Sequence, residues 1–213
     1  MKRETPPDWY YQSIKIDSLQ RLWHKRRFRE ISNITEPVGG KILDVGSADG
    51  TFSKIILDKS NADELIGMEV LGSSVNWANK HWMKHPAAAG QARMKFIVGD
   101  AHRLKFNNNS FDAVFILEVL EHVEDPAKVL SEVNRVLKKG GYGVFLVPSD
   151  SILFQLVWYL WLKFYPRGWV WKDTHIQTFK GNYLTKAVKN AGLTIEVDKK
   201  FNLGMLHLIK ARK

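Results

Sequence analysis

The run Ile42-Leu43-Asp44-Val45-Gly46-Ser47-Ala48-Asp49-Gly50 constrains this chain more than any other stretch. An apolar segment ends in an acid, a turn of small residues follows, and residues 52–57 read as a helix. A buried strand feeding a tight loop and then a helix brings backbone N–H groups close to a ligand. Spacing narrows the choice of ligand. A dinucleotide fingerprint needs Gly-x-Gly-x-x-Gly. Here Gly46, Ala48 and Gly50 stand at every second position, and Thr51 occupies the place of the third glycine. Alanine at 48 allows close backbone approach provided its φ stays negative, which is the expectation.

The 213 residues suit a single domain with a proper core. The chain has no cysteine, which excludes disulfides and thiolate nucleophiles, including covalent C5-methylation of a base. The N-terminus shows no signal-peptide pattern, so the expected address is cytoplasmic. The net charge of +10 is uneven: residues 151–213 carry 11 Lys and Arg against 3 Asp and Glu. That basic third suits nucleic acid, an anionic membrane surface, or plain solvation.

Apolar runs and helical stretches alternate. The pattern predicts strands over 42–45, 65–68, 94–98, 113–117 and 143–147, with helices over 51–60, 73–84 and 126–137. Pro126 suits a first helical position behind an Asp125 cap, and Gly140-Gly141 reads as that helix's stop. Such alternation implies a parallel sheet with helices on both faces. A helix over 181–191 and two strands over 193–197 and 205–211, close enough to pair antiparallel, complete the pattern.

The Asp-x-Gly-x-Gly-x-Gly form of the 44–50 loop, with Ala48 in the middle glycine's place, resembles motif I of the class I S-adenosylmethionine (SAM) methyltransferases. The match continues in order through Gly99-Asp100-Ala101-His102-Arg103-Leu104-Lys105-Phe106, Asn109-Ser110-Phe111-Asp112-Ala113-Val114, Val119-Leu120-Glu121-His122-Val123-Glu124-Asp125-Pro126 and Val136-Leu137-Lys138-Lys139-Gly140-Gly141. These runs look like the type 11 subgroup of small-molecule, quinone and lipid methyltransferases. Lys105 and Lys139 depart from it, standing where the subgroup often has proline. The resemblance implies an α/β class I methyltransferase (Rossmann-like) fold: a seven-stranded, mostly parallel sheet with an antiparallel last strand. It further implies one domain over 1–213, made of a helical cap (1–38), a SAM-binding half (39–150), an aromatic insertion (151–173) and a C-terminal helix with strands (174–213). The donor would be SAM, held by Asp44, Gly46, Ser47, Ala48, Asp49 and Gly50. Glu69 would take the ribose hydroxyls, with Val70 beside it, while Asp100 and Ala101 would meet the adenine and Leu117 would close the fourth strand's end.

Glu118, Glu121 and His122 follow the fourth strand candidate. On a helix, positions i, i+3 and i+4 share one face, so these groups would serve as a general base, line the acceptor pocket, or hold a divalent metal. Similar Glu-x-x-Glu-His runs in ubiquinone-biosynthesis O-methyltransferases are associated with a metal. Leu-Glu-His-Val also occurs widely in the subgroup without one, so the metal is the less favoured reading. His175, in Thr174-His175-Ile176-Gln177-Thr178-Phe179, resembles the subgroup's His-x-x-x-Phe segment; it would either take a proton or only fix its loop. His24, His81, His85, His102 and His207 have no such context and read as surface or structural.

Residues 151–171 hold Phe154, Trp158, Tyr159, Trp161, Phe164, Tyr165, Trp169 and Trp171. The stretch is too short to span a bilayer, which takes about 20 apolar residues. It reads as an interfacial membrane element, a lid over an apolar substrate, or an interface or core. The N-terminal segment 9–34 reads as helical. It would close over the donor site through Trp9, Tyr10, Tyr11 and Trp23, or lie on the surface docked by Leu19, Leu22 and Trp23. The favoured function is methyl transfer to an O, N or C atom of an apolar or amphipathic small molecule such as a quinone, a phenol or a lipid. RNA methylation is the rival prompted by charge, and SAM binding without catalysis is the third reading.

Overall fold

The computed structural model describes residues 6–16, 18–82, 93–149, 151–164 and 176–213. Seven strands form one sheet: β1 (Lys41–Val45), β2 (Glu64–Glu69), β3 (Arg93–Val98), β4 (Phe111–Leu117), β5 (Leu137–Pro148), β6 (Thr194–Phe201) and β7 (Leu206–Arg212). Their order is β3-β2-β1-β4-β5-β7-β6. Pairing is parallel from β3 through β5, and β7 runs antiparallel to both its neighbours. The helices are α1 (Trp9–Ile16), α2 (Ser18–Ile34), α3 (Thr51–Ser60), α4 (Gly72–Trp82), α5 (Pro126–Val136), α6 (Ile152–Phe164) and α7 (Tyr183–Asn190).

The central strands are continuous apolar runs because both faces are covered. Side chains alternate across a strand, and the two cores follow that alternation. Leu43, Val45, Val114 and Ile116 pack with Val129, Leu130 and Val133 of α5 and Leu184 and Val188 of α7. Ile42, Ala113 and Phe115 pack on the other side with Ile56 of α3 and Ile31 of α2. β6, at the sheet's edge, instead alternates exposed and half-buried positions.

Strand and helix positions follow the sequence pattern, with two corrections. α5 is capped as expected, Asp125 Oδ1 accepting from the Lys128 N–H at 2.9 Å with Pro126 in the first turn. However, α5 ends at Val136 rather than at the glycine pair. Leu137 is already extended and pairs with Phe111, so Gly140 and Gly141 lie inside β5 at an irregularity of its register with β4. An added Cβ at Gly141 would lie 2.8 Å from the Asp112 carbonyl oxygen, so close strand approach, not helix termination, demands this glycine. In α2, Leu22 does not dock the helix: it is 68% exposed, and among the described side chains His24, Arg27, Ile31 and Ile34 are buried.

Candidate functional site

β1 pairs with β2 on one side and β4 on the other, so the order in which strands are laid down reverses at β1. Open α/β sheets bind ligands in the crevice at the carboxyl ends of the strands at such a point. The loop 46–50 occupies this end. Gly46 and Ser47 donate their N–H groups to the Met68 carbonyl at 2.7 and 3.1 Å, holding the loop against β2. Gly46 (φ 76) and Gly50 (φ 78) use the left-handed region that favours glycine. A Cβ on Gly46 would clash with Val119 Cγ2, so the segment after β4 lies directly on the loop. Ala48 corrects the expectation: its φ is +45, not negative, and the chain accepts a left-handed alanine to keep the loop's shape.

The two acids of the loop organise it. Asp44 is fully buried and accepts from the Ser53 hydroxyl at 2.6 Å, tying β1 to the first turn of α3. Burial raises its pKa to about 7; the Ser53 bond opposes the shift and the charge of Glu69 adds to it. Asp49 accepts the Thr51 N–H at 3.1 Å and the Tyr11 N–H at 2.8 Å, and burial raises its pKa as well. Its carbonyl accepts from Trp82 Nε1 at 2.7 Å. The Tyr11 ring packs against His81 and Trp77 of α4, with centroids 4.5 and 5.3 Å away. The N-terminal cap is thereby strapped across the loop by Tyr11.

At the end of β2, Glu69 Oε2 accepts the Ala48 N–H at 3.1 Å, and Oε1 accepts those of Val70 and Leu71 at 2.8 and 3.1 Å. A carboxylate offers about four acceptor sites, so with three N–H groups bound the anchored group keeps about one for a hydroxyl. Val70 and Val98, at the ends of β2 and β3, are 68% and 61% exposed. Past β3, Asp100 Oδ1 takes the His102 N–H and meets Nδ1 at 2.9 and 2.8 Å, bonds that hold its pKa below the usual range. Ala101 is half-buried and Leu117 buried. An anchored carboxylate, two bare valines and a second acid together suit a flat base on a ribose. The spacing argument missed Val98; its position at the end of a strand next to Gly99-Asp100 is the signal that marks it.

The Glu118, Glu121 and His122 expectation needs correction. Glu118 has φ +59, and only Leu120–His122 form a short 3-10 turn, so the three residues do not share one face of an α-helix. Among the described residues, no group of three or more His, Cys, Asp or Glu side chains is arranged to hold a metal. Glu118, whose carboxyl pKa burial raises against the pull of Arg27, is ion-paired with Arg27 of α2. Glu121 is buried, and its carbonyl accepts the Ile176 and Gln177 N–H groups at 2.9 and 3.0 Å. His122 is half-buried. His175 and His85 lie outside the described residues. His24 is buried and stacks on Phe28, while His207 meets Asp198 at 2.7 Å, which suits the structural reading of both.

The sheet order, the glycine loop and the carboxylate at the end of β2 define a Rossmann-like nucleoside-binding domain. Residues 43–145 match the family described as Methyltransferase domain. The demethylmenaquinone methyltransferase of Thermotoga maritima is 31% identical over 73% of this chain and 66% of its own length. The sterol 24-C-methyltransferase erg6 of Aspergillus fumigatus is 32% identical over 50% of this chain and 28% of its own. This chain therefore spans about two thirds, or much less, of these curated relatives. A Haloferax volcanii protein solved in complex with the Trm112 methyltransferase activator superposes with a TM-score of 0.74 at 17% identity, over 99% of this chain and 98% of that one. The chain belongs to the class I SAM-dependent methyltransferases.

Proposed function

We propose that the chain transfers a methyl group from SAM to an apolar or amphipathic acceptor of the quinone, phenol or lipid kind. When bound, SAM supplies a methyl group already activated on a sulfonium, so the protein's task is largely positioning. Glu69 and Asp100 are assigned to the ribose and adenine, Val70 and Val98 to the faces of the base, and residues 46–50 to close backbone approach. Asp44 and Asp49 shape that loop from beneath. Glu121 and His122 are assigned to the acceptor side, with His175 retained there from the sequence resemblance.

The observation that carries the acceptor class is α6. Only Phe154 is buried among its described side chains, and Trp158 and Trp161 are half-buried along the same stripe. Ile152, Leu156, Tyr159, Leu160 and Phe164 face outward. The helix leaves the carboxyl end of β5, next to the site, and its 13 residues span about 20 Å, less than a bilayer's core. Among the described residues, no helix is long and apolar enough to cross a membrane. The names of the quinone and sterol relatives point the same way. The outward face of α2, with Lys25, Arg26 and Arg29 exposed, favours collection of such an acceptor from an anionic membrane surface.

The test is methyl transfer from labelled SAM by the purified protein. A demethylated quinone in anionic vesicles is expected to be methylated, and tRNA is not. Turnover on tRNA alone would reverse the assignment.

A further inference from the structure

Among the described residues, the two most exposed large apolar side chains are Ile152 and Leu203, at 87% and 81%. Leu203 stands in the turn 202–205 that joins β6 to β7. Asn202, Leu203 and Gly204 have φ values of +51, +57 and +79, three left-handed residues in a row. Asparagine and glycine visit that region readily, and leucine does not. The turn is held in this shape by the end of β5. Leu206 pairs with Pro148, the Ser149 N–H donates to the Met205 carbonyl at 2.9 Å, and the Ser149 hydroxyl donates to the Gly204 carbonyl. Within the turn, the Met205 N–H donates to the Asn202 carbonyl at 3.1 Å.

Leucine at 203 thus serves the fold neither by backbone preference nor by burial. Strain of this kind persists where the surrounding structure imposes it, and it collects at functional positions. The place of the turn supplies the function. β5 also leads into α6, and Ile152 follows Ser149 by three residues, a reach of about 11 Å at most. Two apolar projections, the turn tip and the outward face of α6, leave the same end of β5. Exposed cations stand around them: Lys163 near the end of α6, Lys180, and Lys200, three residues before Leu203. Lys200 donates to the Gly181 carbonyl at 3.3 Å, which holds its ammonium on this rim. The acids of residues 176–213 are Glu196 and Asp198, and both are engaged within the fold, Glu196 by Lys210 and Arg212 and Asp198 by Thr185 and His207. Apolar tips rimmed by exposed lysines complement an anionic bilayer, the apolar groups below the headgroups and the ammonium groups among the phosphates.

We propose that the β6–β7 turn is a second membrane-inserting element, with Leu203 entering an anionic bilayer beside α6. The proposal deepens the membrane reading of α6 and rests on it. A single amphipathic helix lying on a bilayer leaves the body attached to it free to tilt. A second point of insertion, tied to the end of β5 by Ser149, removes that freedom. The carboxyl end of β5 then faces the lipid, and an apolar acceptor leaving the bilayer arrives at the end of the sheet that holds the site.

The chain has no cysteine, so Leu203→Cys accepts an environment-sensitive fluorophore at that one position. Its emission is expected to shift to the blue when vesicles containing phosphatidylglycerol are added. The same label on Asn107→Cys, exposed before β4 at the opposite end of the sheet, should not shift. Unlabelled Leu203→Gly removes both the apolar tip and the left-handed leucine. It should weaken partitioning into the anionic vesicles by about 10-fold or more, while the thermal midpoint rises by about 1–3 °C. A leucine kept for the fold alone would leave partitioning unchanged. Vesicle-bound protein with no shift at 203, or Leu203→Gly partitioning as strongly as the unaltered protein, overturns the insertion of the turn and leaves α6 as the membrane element. An unaltered protein that does not bind the anionic vesicles overturns the membrane reading itself, and this proposal with it. A blue shift that grows with protein concentration without lipid would give the tip to a second copy of the chain, and overturns the proposal too.

Discussion

Asp44 is a loop acid kept out of water, and its burial has a thermodynamic consequence. Its carboxyl has a folded pKa of about 7 against an ordinary value of 3.8. Between these values the unfolded chain ionises while the folded one keeps its proton, so the native state binds more protons and stability falls as pH rises. The contribution is fully present below about pH 4 and lost by about pH 7, a change on the order of 4 kcal/mol. Asp44→Asn removes it. Urea unfolding at pH 5 and pH 7.5 should show the unaltered protein losing stability relative to the variant; parallel losses would refute the assignment. Ala48 allows a second test at this scale. A left-handed alanine costs about 1–2 kcal/mol, and glycine returns part of that gain as unfolded-chain entropy. Ala48→Gly should raise the urea midpoint, by a net stabilisation of about 0.5–1 kcal/mol; a lower midpoint would contradict the strain. Residue identities in this loop were legible because spacing encodes the turn. The sign of φ at 48 was not, since alanine is compatible with either side of the Ramachandran map until the loop's closure on β2 selects one. Arg27 was hidden for a related reason: a cation within Lys25-Arg26-Arg27 reads as solvated, and only the spacing of His24, Arg27 and Ile31 on one face of α2 marks it as buried.

Among the elements, those whose ends have local chemistry were the easiest to read. α5 begins where an acid precedes a proline, and the structure places Asp125 as its cap. Asp125→Ala should cost about 1 kcal/mol and Asp125→Ser far less, measured by denaturant unfolding; equal losses would show that Asp125 acts through something other than its side-chain acceptor. The same helix's end was misread because Lys138-Lys139-Gly140-Gly141 has the composition of a helix stop, whereas the pairing of Leu137 with Phe111 had already drawn the chain into β5. Tertiary pairing overrides a local signal there. The segment 118–122 failed for the opposite reason. Its spacing assumed a helix, but ion pairing with Arg27 and packing of Val119 on Gly46 fix a left-handed residue and a single 3-10 turn instead. α6, apolar almost all round, has no periodic stripe in sequence; the buried side emerged only as Phe154, with Trp158 and Trp161 half-buried beside it.

Across the whole molecule, the sheet order divides labour between its two ends. β3, β2 and β1 carry the groups assigned to the donor: Glu69, Asp100, the two exposed valines and the loop. β5 leads into α6, and the residues after β4 face both ways. The alternation of strands and helices made the parallel half legible, because each crossover lies between consecutive strands. The insertion of β7 between β5 and β6 is a long-range pairing that no local pattern encodes. This division predicts that donor and acceptor functions can be separated by substitution. Leu156 and Leu160 are 54% and 43% exposed, so changing both to serine removes little buried surface and should leave the thermal midpoint nearly unchanged. The affinity for S-adenosylhomocysteine should also hold, because α6 carries none of the donor groups. What should change is use of an apolar acceptor. Each leucine transferred from water to an apolar phase is worth about 1.5–3 kcal/mol, so the pair should raise the KM for a vesicle-borne quinone by about 10-fold or more. Co-sedimentation with anionic vesicles should fall in parallel. If donor affinity fell with KM, α6 would belong to the core of the site; if neither KM nor vesicle binding moved, its exposed face would have no part in acceptor capture.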